Sequence, residues 1–353
     1  MERRERNKAI DFARAFAIIC VILTHVTETT YQLQAEAVWG GGEHIKLLAL
    51  SLFAIGRLGV PIFLFLTGYL LLDRGYSIEK MKYFWNNNLK SLLIITEIWI
   101  IIYFVFFCFF YNVSPDWMKL IEQITFLKNP DIGHLWYMGQ ILGLYLALPM
   151  VANVLRYLEK KMVVILFAIA FIYTFFPTTL NPILSLINED YIYSQFNTNF
   201  FGGHYGLMIL MGWMLKKGYF NKINNWIIAF TGLLSYVGVV WTEFYSYKQG
   251  ITYNVWYDFA PLVLSSFCIL TLILRMKTIP LKKVTSWMGY SSFAVYLLHN
   301  IFCKLSFKWL SQYLTSHIQT EITLLLMVFL LSEGSVYLIS RNKKIARSLF
   351  YMR

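Results

Sequence analysis

The chain has 353 residues, of which 58% are hydrophobic and 14% are charged. A soluble domain carries about 25% charged residues, so this composition excludes an ordinary soluble protein and is typical of a polytopic membrane protein. The net charge of +12 does not by itself indicate nucleic-acid binding, because the basic residues follow a membrane-topology pattern. We expect membrane lipids as partners and no nucleic acid.

Ten apolar segments approach or exceed the roughly 20 residues that a helix needs to cross a bilayer. The second segment contains Gly56, Arg57, Gly59 and Pro61, which predicts a break or a re-entrant entry there. We therefore predict an all-α polytopic integral membrane protein with about ten transmembrane helices, forming one domain over 1–353 with no appended soluble domain. The predicted segments are 9–27, 46–72, 89–111, 134–154, 162–177, 201–216, 224–243, 256–275, 286–306 and 321–340.

Lysines and arginines lie mainly on one side of these ten segments. The N-terminus, the C-terminal tail and alternate loops carry 23 of them, and the opposite loops carry five. Cytoplasmic loops carry the basic excess in membrane proteins, so we predict that both termini are cytoplasmic. The loops of the basic side are 73–90, 155–161, 216–222 and 275–283, and the five opposite residues are Lys46, Lys119, Lys128, Lys248 and Lys308.

The first segment places Asp11, Arg14 and His25 on one helical face. Eleven positions make almost three turns, so Arg14 and His25 lie about 16 Å apart along the axis, with Asp11 in ion-pair reach of Arg14. Charges inside a bilayer usually mark a substrate, ion or proton path. Arg14 and Asp11 could instead form a structural pair at the cytoplasmic interface. The phase match to Arg14, with Glu28 one turn later, favours a functional His25.

Later segments carry further polar and aromatic candidates, each with a structural alternative. His134 could be an interfacial histidine beside an aromatic belt, and His299 could share an interhelical hydrogen bond with Asn300. Lys304 is expected to reach towards an interface. The four cysteines are far apart, and we expect no metal site. The remaining candidates are Arg57 in the second segment, Trp136 and Tyr137 at the start of the fourth, and Tyr296 in the ninth.

These residue types suit acyl transfer to a hydroxyl group. A histidine can take a proton from a hydroxyl that attacks an acyl carbon, or it can carry the acyl group itself. An arginine offers a fixed charge for a phosphate, a carboxylate or a developing oxyanion. Trp136 and Tyr137 suit the apolar face of a sugar ring. His25 and His299 could act together only if their helices pack against each other.

Four stretches of the chain resemble motifs of the acyltransferase-3 family of bacterial membrane proteins. The resemblance implies a cytoplasmic acyl-CoA donor, most often acetyl-CoA, and O-acylation of a cell-envelope glycan or lipid-linked glycan at the outer face of the bacterial cytoplasmic membrane. It also implies essential roles for Arg14 and His25. The stretches are Asp11 to Arg14 followed by ten residues and His25, 59–69, 134–137 with Leu148 and Pro149, and 292–299.

One departure from the family concerns donor binding. Members often carry an Arg-x-x-Arg motif at the cytoplasmic entry to the third span, whereas residues 87–90 read Asn-Asn-Leu-Lys and leave Lys90 as a candidate. We predict an O-acyltransferase, specifically an O-acetyltransferase; the alternative is a non-catalytic transporter of a polysaccharide or lipid-linked glycan. The predicted catalytic residues are His25, Arg14, His299 and Tyr296, and the predicted substrate-binding residues are Asp11, Arg57, His134, Trp136, Tyr137 and Lys90.

Overall fold

The computed structural model of the chain describes residues 7–33, 42–250 and 255–352. Every regular element in these ranges is a helix, which confirms the all-α prediction. Short loops, two 3₁₀ turns and one π turn connect the α-helices. These are α1 (Lys8–Tyr31), α2 (Glu43–Arg57), α3 (Gly59–Leu71), α4 (Ile78–Phe84), α5 (Lys90–Tyr111), α6 (Trp117–Ile124), α7 (Trp136–Val154), α8 (Lys160–Leu186), α9 (Gly203–Lys216), α10 (Asn225–Lys248), α11 (Ala260–Arg275), α12 (Lys282–Leu310), α13 (His317–Ser340) and α14 (Lys343–Phe350).

Seven helical stretches among the described residues are long and apolar enough to cross a membrane. They contain α1, α2 with α3, α5, α7, α8, α10 and α13. The other three predicted segments coincide with α9 and α11, which have 14 and 16 residues, and with α12, which carries several polar residues. The chain is therefore a multi-pass membrane protein by its helices, while the count of ten spans stays a prediction.

Helix ends lie within five residues of the ends of the predicted segments, except at the end of the fifth. The expected break in the second segment occurs at Leu58, between α2 and α3. The fifth segment is longer than predicted, because α8 continues through Pro177 and Pro182 to Leu186. The predicted cytoplasmic position of both termini rests partly on Arg3, Arg4, Arg6 and Arg353, which lie outside the described residues.

Helix α1 lies at the centre of the bundle, packed against α2, α3, α11, α12 and α13. Its small residues Ala13 and Ala17 are completely buried. The contact with α12 is closest at Gly289, where a Cβ atom would lie 2.5 Å from the carbonyl oxygen of Asp11. Small residues permit such close helix contacts in membrane proteins. This packing brings His25 of α1 and His299 of α12 towards the same end of the bundle.

A second close crossing joins α3 and α9. A Cβ atom on Gly68 would lie 1.7 Å from the carbonyl oxygen of Ile209, and one on Gly212 would lie 1.8 Å from that of Phe65. Both glycines are thus required for the helices to approach this closely. The crossing fixes the position of α3, which begins at Gly59, just after Arg57 and Leu58.

Large apolar side chains cover the outside of α8 and α10. Ile172 and Phe176 of α8 and Phe230 and Leu233 of α10 are more than half exposed. A soluble protein rarely exposes apolar patches of this extent, whereas lipid chains solvate them well. The outer helices therefore form the lipid-facing surface, and the polar groups collect around α1.

Candidate active site

Three of the six histidines of the chain meet at one end of the bundle, which we call the histidine end. The ring centres of His25 and His299 lie 5.2 Å apart, those of His134 and His299 5.1 Å, and those of His25 and His134 6.0 Å. They come from α1, from the 3₁₀ turn before α7 and from α12. His134 and His299 are buried, and the side chain of His25 is 20% exposed. His25 is therefore the member of the cluster that a substrate can reach most easily.

Backbone and amide partners orient the two buried rings. Nδ1 of His299 donates to the carbonyl oxygen of Tyr296 at 2.7 Å, whereas Nδ1 of His134 accepts from the Asn300 amide at 3.3 Å. We assign the tautomers from these partners, so His299 carries its proton on Nδ1 and His134 on Nε2. Neither Nε2 atom has a hydrogen-bond partner among the described residues. The unprotonated Nε2 of His299 can therefore accept a hydrogen bond or a proton, whereas the protonated Nε2 of His134 can donate a hydrogen bond to a ligand.

Glu28 holds the ring of His25. Nδ1 of His25 lies 3.3 Å from Oε2 of Glu28, one turn further along α1. A carboxylate on Nδ1 fixes the tautomer that leaves Nε2 basic, and it stabilises the ring when Nε2 takes a proton. The pair has the arrangement that a general base requires.

A cavity of about 680 Å³ opens beside the three rings. Its aromatic wall includes Trp136, whose ring centre lies 5.5 Å from that of Tyr257 and 5.2 Å from that of Trp256. Tyr205 packs against Trp136 at 5.7 Å without lining the cavity. An aromatic wall with a few converging polar groups is typical of a small-molecule site. The residues predicted from the sequence that line this cavity are His25, Arg57, His134, Trp136, Tyr137 and Tyr296.

Tyr296 lines the cavity with its hydroxyl group already engaged. The hydroxyl donates to the carbonyl oxygen of His134 at 2.7 Å and so ties α12 to the turn that carries this histidine. The geometry supports a positioning role for Tyr296. Its predicted catalytic role stays a prediction.

Arg14 and Asp11 lie towards the opposite end of α1, away from the histidines. Nη1 of Arg14 lies 3.7 Å from Oδ1 of Asp11, and the two side chains are 33% and 1% exposed. Arg14 does not line the histidine cavity. The ion pair that the spacing predicts is present, and the two predicted functions, in catalysis for Arg14 and in substrate binding for Asp11, stay predictions.

Lys90 is exposed at the first turn of α5. Tyr111, at the last turn of the same helix, lines the cavity. A helix of this length separates the two by about 30 Å. Lys90 is therefore remote from the histidines, and its predicted role in donor binding stays a prediction.

Sequence reasoning missed part of the cavity. Trp256 and Tyr257 belong to the aromatic wall, and Lys304, for which the sequence indicated only a position near an interface, also lines the cavity. The paired aromatics directly before α11 were the available signal, but nothing in the sequence connects that loop to the start of α7. Among the described residues, no group of three or more His, Cys, Asp and Glu side chains is arranged to hold a metal ion.

Comparison with known families agrees with the motifs. A family model described as an acyltransferase domain, that of the acyltransferase-3 family, matches residues 7–341. The chain belongs to the acyltransferase-3 family. No curated protein and no solved structure matches the chain. The resemblance inferred from the sequence is confirmed, and family membership together with the apolar helices indicates a multi-pass membrane acyltransferase.

Proposed function

We propose that the chain transfers an acyl group, specifically acetyl, from acyl-CoA to a hydroxyl group of a cell-envelope glycan or lipid-linked glycan in the bacterial cytoplasmic membrane. One observation carries the proposal. His25, supported by Glu28, meets two further histidines at a cavity with an aromatic wall. Such a cavity suits a sugar ring, and such a histidine suits proton removal from its hydroxyl.

The reaction balances with His25 as general base. Nε2 of His25 takes the proton from the acceptor hydroxyl while the oxygen attacks the thioester carbonyl carbon. A carbon–oxygen bond forms, the carbon–sulfur bond breaks, and the CoA thiolate leaves and is protonated. In the covalent variant, Nε2 attacks the thioester carbon first and the CoA thiolate leaves. The acceptor oxygen then attacks the same carbon, the carbon–nitrogen bond breaks, and the freed Nε2 takes the hydroxyl proton. Both routes need His25 and consume one acyl-CoA for each ester formed.

The surroundings of α1 favour acyl transfer over glycan transport. A transporter needs a continuous polar path across the bundle. On the face of α1 that joins Arg14 to His25, the intervening residues are Ile18 and Val21, which are buried and apolar. An apolar interval accommodates an uncharged acyl thioester better than a hydrated glycan.

The face of α1 that carries Arg14 and His25 also suggests the direction of acyl transfer across the membrane. Arg14 and the basic loops lie at the end where we place the cytoplasm, and His25 lies at the other end, where we place the acceptor. The donor thus approaches from the side of Arg14, and its thioester reaches His25 along α1. Each side of this arrangement can be tested separately.

Purified protein in nanodiscs, incubated with labelled acetyl-CoA and a cell-envelope glycan fraction, tests the proposal. We expect CoA release and label in a base-labile ester on the glycan, both dependent on the glycan. Transport of glycan into proteoliposomes without CoA release would contradict the proposal and favour the transporter. His44→Ala is a matched control, because His44 is exposed at the start of α2 and lies outside the cavity.

A further inference from the structure

Basic residues at the histidine end fall into two groups. Those of the first group have a partner outside the cavity cations: Lys119 pairs with Asp131, Lys128 with Glu122 and Lys248 with Glu43, and Lys46 donates to the hydroxyl of Tyr247. The remaining three, Arg57, Lys304 and Lys308, make no ion pair within the described residues. All three line the histidine cavity. Among the described residues of this end, the cations that make no ion pair therefore lie together at the cavity.

Arg57 is the most deeply buried of these three cations, since only 6% of the residue is exposed. Its guanidinium carbon lies 4.6 Å from the ring centre of Phe53, 4.7 Å from that of Trp256 and 5.2 Å from that of Tyr257. Its Nε has no hydrogen-bond partner in the part of the chain that the structure describes. Stacking on aromatic rings offsets only part of the cost of burying a charge. An anion from outside the chain would supply what is missing.

The carboxylates near Arg57 are held by other groups. Glu28 is bound to His25. Oε1 of Glu243 accepts from the backbone amide of Val255 at 3.1 Å, while its Oε2 has no hydrogen-bond partner among the described residues. Asp131, the other carboxylate that lines the cavity, is paired with Lys119 and accepts from Gln123 at 3.0 Å. No ion pair joins Arg57 to any of them. The cavity thus presents three cations whose charge its own carboxylates do not neutralise by contact.

We propose that the acceptor carries a negatively charged group, a carboxylate or a phosphate, and that Arg57 binds it, with Lys304 and Lys308 adding to the attraction. This inference rests on the proposed function, because it describes the acceptor of that reaction. The planar guanidinium matches either anion with two parallel hydrogen bonds. The acceptor's ring packs on Trp136, its anionic group lies at Arg57, and its reacting hydroxyl lies at Nε2 of His25.

Binding measured without any acyl donor tests this inference independently of catalysis. The probes are a tetrasaccharide that contains glucuronic acid, the same sugar with its carboxyl groups reduced to alcohols, and the reduced sugar bearing one phosphate. Microscale thermophoresis on the protein in nanodiscs should show at least one anionic probe binding about tenfold or more tightly than the neutral sugar. The tighter of the two anionic probes identifies the source of the charge.

The variants assign the preference to Arg57. Arg57→Gln should remove the preference for the anionic probe and leave weak binding of the neutral sugar in place. Lys304→Gln combined with Lys308→Gln should reduce the preference by a smaller factor, and it serves as the second variant if Arg57→Gln does not fold. Lys128→Gln makes the same change of charge at an exposed pair outside the cavity and should leave all three affinities unchanged.

Three outcomes would overturn the inference. They are equal binding of neutral and anionic probes by the wild type, a preference that survives in folded Arg57→Gln, and no binding of either anionic probe. None of them bears on acyl transfer, which the CoA-release assay measures. A failure of that assay would likewise leave the anion preference of the cavity standing.

Discussion

The two ends of α1 differ in how many other parts of the chain they bring together. Near its start, Arg14 meets Asp11 of the same helix in an ion pair that the sequence spacing predicts. Near its end, His25 meets His134 and His299, which lie more than a hundred residues away in the chain. The first is a local feature, and the second exists only in the folded bundle. Only the His25 end thus assembles groups from several helices, as an active site requires.

The prediction with an all-or-none outcome concerns which side of the membrane each loop faces. Single cysteines are placed at Lys82 and Lys128, both exposed, in a background that lacks Cys20, Cys108, Cys268 and Cys303. An impermeant thiol reagent applied to wall-stripped cells should label position 128 and spare position 82, because basic loops remain in the cytoplasm.

Membrane-permeant reagent should label both positions and serves as the control for accessibility. The reverse labelling pattern would place His25 on the cytoplasmic side. It would then remove the proposed passage of the acyl group from one side of the membrane to the other.

His25→Ala should have the largest effect on rate. General base assistance contributes about 10²- to 10⁴-fold, and the covalent route has no substitute for the ring nitrogen, so transfer should fall at least about a hundredfold. The measurement is labelled acetate transferred from acetyl-CoA, at equal membrane levels of protein. His44→Ala should behave as wild type, and a His25→Ala rate above about a tenth of wild type would exclude the catalytic role.

Substitutions of Arg14 test the proposed role of the other end of α1 in donor binding. Arg14→Lys keeps the charge but loses the planar fork, so we expect acetyl-CoA affinity and turnover to fall about tenfold or more in both Arg14→Lys and Arg14→Ala. Donor titrations of the transfer rate measure this. Normal donor binding and turnover in both variants would reduce Arg14 to a partner of Asp11, and loss of folded protein in both would favour a purely structural pair.

The sequence predicted the helices of the fold better than it predicted the contacts of the candidate active site. Apolar segments place the long helices, and glycines beside Arg57 place the break at Leu58, because these are properties of contiguous residues. The convergence of the histidines depends on α1 packing against α12 through contacts such as that of Gly289. Motif resemblance could nominate the three rings, but no pattern within one helix determines which neighbour it meets.

The contacts of Trp256 and Tyr257 at the cavity wall could not be predicted from the sequence either. Tyr257 stacks on Trp136, Trp256 lies tilted beside it, and Lys304 of α12 lines the same cavity. Loop residues carry no helical periodicity from which a partner could be inferred. The sequence also did not predict that Arg57 would be buried among three aromatic rings. Its position in the chain indicated only that the second span is interrupted.

Tyr296→Phe should have the smallest effect. The change removes the hydroxyl that donates to the carbonyl oxygen of His134 and keeps the ring that lines the cavity. A single neutral hydrogen bond contributes about 0.5–1.5 kcal/mol, so a loss of positioning at His134 should reduce kcat about two- to tenfold with KM little changed. Tyr313→Phe, at an exposed tyrosine near the end of α12, should match wild type in the same assay. A decrease of a hundredfold or more in folded Tyr296→Phe would instead make the hydroxyl a catalytic group that acts beside His25.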